Sequence, residues 1–185
     1  LIEALRKCED FRLDEGKVLG TMLAGCCGVI EQSLEKVREL DPKRVARIRE
    51  RLRSNVVSFF GEEGFDTNRL EQEIIFYVEK LDINEEKVRL KSHLDYFMQA
   101  LREPQSNGKK LGFIAQEIGR EINTIGSKSN DADIQKHVVV MKEELEKIKE
   151  QLNNVVYTYL SDAMVSVCNK YFFIRFYISF ASVLI

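Results

Sequence analysis

Apolar residues recur every three or four positions along most of this chain, which is the period of an amphipathic helix. In a first segment, through about Leu40, they are Val18, Met22, Val29, Leu34 and Val37, set among charges. Leu40-Asp41-Pro42 then punctuates the pattern, because aspartate caps a helix and proline suits a first helical position. A second helix follows through Val45, Ile48, Leu52 and Val56, so residues 1–61 read as a long helical hairpin facing a partner or RNA. Gly61-Glu62-Glu63-Gly64 is the clearest loop. Leu70, Ile74, Tyr77 and Leu81 form the next stripe, and Asp82 followed by Glu85 predicts a capping-box-like helix start. Leu90, Leu94, Phe97 and Leu101 continue as a seam. After a loop holding Pro104, Ser106 and Gly108, Leu111, Ile114, Ile118, Ile122 and Ile125 predict another helix, with Gly126 as its stop. Ile134, Val138, Met141, Leu145, Ile148 and Leu152 mark a last one over about 131–154. Residues 62–154 thus form a helical domain. The whole predicts an all-α, elongated helical bundle with long helical hairpins.

From Val155 the pattern changes. Charge thins, and the chain ends in Tyr171-Phe172-Phe173-Ile174-Arg175-Phe176-Tyr177-Ile178 and then Ser179 to Ile185. This run is shorter than the roughly 20 residues that span a bilayer, and Arg175 interrupts it. A non-native extension is the leading expectation for the hydrophobic tail 155–185. A terminal helix packed on a partner and a membrane anchor are the alternatives. The chain starts at Leu1 rather than methionine, which predicts a fragment, and no secretion signal is visible.

Composition narrows the function. With 28 Lys+Arg against 30 Asp+Glu, the net charge is −2, which excludes a globally basic nucleic-acid coat but leaves room for a local basic face. Two prolines and no tryptophan among 185 residues argue against a β-sandwich or barrel. Cys8, Cys26, Cys27 and Cys168 make no metal-binding spacing, so they read as small hydrophobes in a reducing cytosol. Lys36 to Arg53 holds eight basic residues and three acidic ones, with Arg44, Arg47 and Arg51 at helical spacing on one face; Glu62 to Glu86 holds nine acidic and two basic. A solvated surface explains either run. The functional alternative is a strip that tracks a phosphate backbone beside an acidic patch suited to a divalent ion.

On a helical wheel of residues 84–101, Asp82, Glu86, Arg89 and His93 form one row flanking the apolar seam. On the helix of residues 109–125, Glu117, Glu121 and Thr124 flank the stripe, while Gln116, Arg120 and Asn123 run across the polar face. Arg69, Glu73 and Lys80 occupy a comparable flank of the helix before. Carboxylates from two helices meeting at such a rim supply hard oxygen ligands for Mg²⁺ or Mn²⁺, and an imidazole beside them moves a proton near neutral pH. Interhelical salt bridges produce the same rows. Asp82 and Glu85 are accounted for by capping.

The run Asn107-Gly108-Lys109-Lys110-Leu111-Gly112-Phe113-Ile114-Ala115-Gln116-Glu117-Ile118-Gly119-Arg120-Glu121-Ile122-Asn123-Thr124-Ile125-Gly126-Ser127-Lys128-Ser129-Asn130-Asp131-Ala132 closely resembles the C-terminal signature of the bacterial YicC/YloC-like family. Asp82 to His93 resembles a second hallmark of that family, and Asn68-Arg69-Leu70-Glu71-Gln72-Glu73 a third. The similarity covers about residues 1–154. It implies a cytoplasmic endoribonuclease that depends on a divalent cation, often Mn²⁺. It also implies a homo-oligomer around RNA, a hexamer in the full-length family. The same resemblance leads to the expectation that the family's N-terminal α/β region is missing from this chain.

Physical reasoning then assigns roles. Glu117, Glu121, Glu86 and Glu73 are the candidate metal ligands. His93 is the acid or base, and Arg120 and Arg89 neutralise the phosphate. Lys109, Lys110 and Lys128, with Arg44, Arg47 and Arg51, position an RNA backbone without reading sequence. The alternative is a non-catalytic helical adaptor that binds RNA and presents it to a partner nuclease in RNA decay. Neither calls for DNA or a membrane.

Overall fold

The computed structural model describes residues 2–61, 64–103 and 108–153. The hydrophobic tail, like Glu62 and Glu63 of the predicted loop, lies outside them. Among the described residues five helices follow one another: α1 (Ile2–Phe60), α2 (Thr67–Lys80), α3 (Asn84–Arg102), α4 (Gly108–Ser129) and α5 over 132–153. No strand occurs among the described residues, so the chain is all-α.

One core joins four of these rods. Leu23 to Val37 of α1 bury their apolar stripe against Leu90, Leu94 and Phe97 of α3, Ile114 to Ile125 of α4, and Ile134 to Leu152 of α5. Each fully buried leucine or isoleucine contributes about 1.5–3 kcal/mol over an exposed one, which outweighs helix propensity as the source of order. α3 and α4 run antiparallel, with Arg89 opposite Glu121 and Lys128 over the Asp82 carbonyl. α5 returns antiparallel along α4, where Gly119 faces Leu145 and Gly126 faces Val138. α2 packs separately on the last third of α1, with Glu71 between Arg49 and Arg53.

Three local expectations change. The predicted hairpin within residues 1–61 is a single 59-residue rod, about 90 Å long at 1.5 Å per residue, and Pro42 lies inside it. Proline removes one main-chain hydrogen bond. Here Asp41 and Arg44, one turn apart, are buried in a network with α3 and α4 that holds both flanks in register. Gly126 is no stop either. α4 continues to Ser129 and ends at Asn130, whose φ of 40° is a left-handed conformation that asparagine tolerates. Finally, Asp82 and Glu85 make no capping box. Ile83 holds the N-cap position of α3 without a side-chain bond, while Glu85 pairs with Arg89. Asp82, one residue before Ile83, accepts from the Asn84 N–H at 3.4 Å and from the Asn84 side-chain amide at 2.7 Å, while Asp66 accepts from the Asn68 and Arg69 N–H groups and Asp131 from those of Asp133 and Ile134.

Candidate functional site

The polar flank of the α3–α4 hairpin gathers most of the chemistry. Arg89 rises from α3 and donates through Nε to Glu121 Oε1 at 3.0 Å, crossing to α4. Its other nitrogens reach Glu85, one turn back, and Glu86 Oε1 at 3.6 Å. Lys128, at the end of α4, donates to the same Glu86 oxygen at 2.8 Å and to the Asp82 carbonyl at 3.1 Å. Two cations from opposite helices are therefore interleaved with two carboxylates.

The carboxylates are buried and the arginine is not. Glu86 and Glu121 are 3% and 4% exposed, whereas the Arg89 side chain is 42% exposed. Each glutamate has one oxygen paired, and the second, Oε2, is buried with no partner among the described residues. Such an orphaned acceptor is costly, on the order of 1–3 kcal/mol. Burial alone would raise the Glu86 carboxyl. The Lys128 hydrogen bond, a main-chain N–H and the charges of Lys128 and Arg89 outweigh it, and the group titrates below the ordinary glutamate value. Burial works against the Arg89 guanidinium, but the hydrogen bond and charge of Glu121, then Glu85 and Glu86, raise it.

One turn along the hairpin from Arg89 and Glu121 the antiparallel register sets His93 level with Glu117. Both are half-buried. Glu117 is held loosely by Arg120 at 3.6 Å, and the Arg120 side chain is 73% exposed. Glu73 does not join them: it is exposed on α2, which packs on α1. Among the described residues no three His, Cys, Asp or Glu side chains converge on a point suited to a metal ion.

The basic residues divide. Arg51 and Lys109 are exposed, and Arg47 is an exposed partner of Asp131 at 2.7 Å. Lys110 pairs with Glu103 at 3.0 Å and lies 4.9 Å from the centre of the Tyr96 ring. Arg44 must be corrected. It is 1% exposed, so no RNA backbone meets it; the helical stripe of Leu34 and Val37 carries on through Asp41 and Arg44 into the interior. There Asp41 Oδ1 accepts from Arg44 Nε at 2.9 Å, and Asp41 Oδ2 accepts from Lys87 at 2.6 Å. Sequence reasoning missed Asp41 and Lys87. The available signal was that same stripe, which puts a charged pair at buried positions and so demands a partner.

Cys8 and Cys168 lie outside the residues whose side chains are described. Cys26 and Cys27 are free and buried, and burial, chiefly, pushes the Cys27 thiol up to about 12. No helix among the described residues is long and apolar enough to cross a membrane.

Residues 37–156 match the family described as "Endoribonuclease YicC-like, C-terminal". A relative from Clostridioides difficile named "Probable endoribonuclease YicC" is 38% identical over 154 residues, which is 83% of this chain and 53% of that protein. One of the same name from Haemophilus influenzae is 33% identical over 141 residues, 76% of this chain and 48% of its own length. The chain spans about half the length of the curated relatives it matches.

Proposed function

The chain belongs to the YicC-like endoribonuclease family, and from that premise we propose that it is the helical part of an enzyme that cuts RNA phosphodiester bonds. The observation that carries this is Arg89, a half-exposed guanidinium held between two buried carboxylates that each keep one unpartnered oxygen.

A divalent ion does not fit these residues as its holder. Mg²⁺ requires near-octahedral oxygen coordination. Among the described residues the buried part of the hairpin flank offers two unpartnered oxygens, Glu86 Oε2 and Glu121 Oε2, and the carboxylates that carry them are already neutralised by Arg89 and Lys128, whose charges would repel an ion placed between them. We therefore build the cleavage from the side chains themselves. An incoming phosphate meets Arg89 first, because the guanidinium is the exposed member, and competes with Glu121 for it. As Arg89 turns to the phosphate, Glu121 is left inside a poorly solvated site without its cation. It takes the proton of the neighbouring 2′-hydroxyl, and the 2′-oxygen attacks the phosphorus. Arg89 stabilises the charge that develops on the phosphoryl oxygens. His93 gives a proton to the departing 5′-oxygen. The products are a 2′,3′-cyclic phosphate and a 5′-hydroxyl end. Arg47, Arg51 and Lys109 hold the backbone by charge. Exposed apolar side chains along α1, including Phe11, Val18 and Met22, support homo-oligomeric assembly.

The test is the full-length protein with end-labelled RNA, with added Mn²⁺ and separately with a chelator. Fragments with cyclic-phosphate ends in both conditions, lost in Glu121→Gln and His93→Ala, are the expected result. Cutting that needs the metal and leaves 5′-phosphates rejects the mechanism while keeping the activity. No cutting under any condition leaves the RNA-binding adaptor, which the pairing of both buried carboxylates with cations favours.

A further inference from the structure

We propose that Arg44 is a positioning residue for the hairpin site and acts on it through Lys128; this rests on the site and activity proposed above. All three guanidinium nitrogens of Arg44 are engaged inside the protein. Nε and Nη2 meet Asp41 Oδ1 at 2.9 and 2.7 Å. Nη2 also donates to the Leu81 carbonyl at 2.9 Å, and Nη1 to the carbonyls of Lys128 at 3.2 Å and Ser129 at 3.0 Å.

Those three carbonyls belong to the ends of two helices. Leu81 caps α2, and Lys128 and Ser129 close α4. Helix C-termini carry unpaired carbonyls and partial negative charge, so one buried guanidinium fork from α1 answers both ends together. Lysine, a point charge with three donors, has no equivalent geometry. Lys128 is consequently held twice. Arg44 fixes its main chain, and its ammonium reaches the Asp82 carbonyl and Glu86. Because Leu81 and Asp82 are consecutive, Arg44 and Lys128 grip adjoining carbonyls of the α2–α3 turn from two sides. Asp41 extends the hold to α3 through Lys87, the neighbour of Glu86 in sequence. Whether Lys128 reaches Glu86 depends on how closely the end of α4 meets the start of α3, and α1 sets that approach through Arg44.

The experiment is a double-mutant cycle in the full-length protein with Arg44→Lys and Lys128→Met. Arg44→Lys is expected to lower kcat for RNA cutting about tenfold and leave KM for RNA unchanged, since no RNA-facing charge is altered. Added to Lys128→Met it lowers kcat no further. Wild-type kcat in Arg44→Lys, or losses that simply multiply in the double variant, overturns the proposal. Should Arg44→Lys fail to fold, the triple variant Asp41→Leu, Arg44→Met, Lys87→Met replaces the buried ions by apolar groups of similar size, and the same cycle with Lys128→Met applies. If the unaltered protein cuts no RNA, the proposed activity fails separately. The coupling is then read in urea midpoints, where non-additive shifts support the role of Arg44 and additive shifts overturn it.

Discussion

Arg89 and Glu121 form a 3.0 Å ion pair across the α3–α4 hairpin that is unequal in its surroundings: the guanidinium is half in solvent and the carboxylate is buried. The two sides therefore respond differently to substitution. Arg89→Met leaves a buried carboxylate without its cation and is expected to be the more destabilising of the two changes. Glu121→Gln keeps an acceptor for the Arg89 Nε and leaves the charge only on the solvent-facing partner, so it should cost about 1 kcal/mol or less. Urea unfolding of both variants checks the order. Equal losses would mean that the carboxylate is hydrated and the hairpin flank more open than its burial indicates.

Glu86 gives the hairpin a pH dependence of definite sign. Its carboxyl titrates below the ordinary value: burial opposes this, and the Lys128 hydrogen bond, a main-chain N–H and the Lys128 and Arg89 charges overcome it. With the folded value below the unfolded one, the stabilisation is complete above the unfolded glutamate value of about 4.3. It disappears as pH falls through the lower folded value. The stability gap between the unaltered protein and Glu86→Gln should therefore be flat from about pH 6 upward and close in acid below about pH 4. Urea midpoints across that range measure it. A gap that widens in acid would place the Glu86 carboxyl above its ordinary value.

The seam of α3 and the stripes of α4 and α5 were legible because unbroken three-and-four spacing of Leu, Ile, Val and Phe has one economical burial. Leu90, Leu94, Phe97, Ile118, Ile122 and Ile148 are all buried as that spacing predicts. Pro42 misled because a local stop signal competes with a tertiary network that appears only when α1 meets α3 and α4. Arg44 misled for a related reason. Its spacing with Arg47 and Arg51 suggests a basic face, yet continuing the stripe from Leu34 and Val37 by one turn lands on Asp41 and Arg44. Charge type decided one reading and position the other, and position was right. At the hairpin flank, spacing put Glu86, Arg89, Glu117 and Glu121 beside the seam. It carried no information on which carboxylate oxygen Arg89 would take, which depends on the crossing of two helices.

Gly126 illustrates how a residue read as a helix stop has a packing role instead. A Cβ added there would lie 3.0 Å from Val138 Cγ1, whereas one on Gly112 would meet nothing within 4 Å. Gly112→Ala is expected to stabilise by about 0.5–1 kcal/mol, the helix-propensity difference. Gly126→Ala gains the same propensity but must push α5 away from α4, so its net effect should be zero or a loss of about 1 kcal/mol. Combining Gly126→Ala with Val138→Ala tests the contact directly. The cost of the second change should be smaller in the presence of the first, as thermal midpoints of the four proteins will show. Simple additivity would mean that α4 and α5 do not approach closely there.

Phosphate contacts can be separated from buried cations by salt. Each RNA phosphate neutralised by a side chain steepens the dependence of log affinity on log salt by about 0.7 for a single strand. Arg51 and Lys109 are exposed, so Arg51→Ala and Lys109→Ala should each flatten the slope by about that amount and weaken binding alike on unrelated sequences. Arg44 has no surface from which to reach a phosphate. Arg44→Lys should leave the slope where it was, even though it sits in the same basic run as Arg51. Fluorescence anisotropy of labelled RNA at several salt concentrations measures all three in one series. A flatter slope for Arg44→Lys would mean that the guanidinium leaves its carbonyl partners to meet RNA, and the burial of Asp41 and Lys87 beside it would then have to open as well.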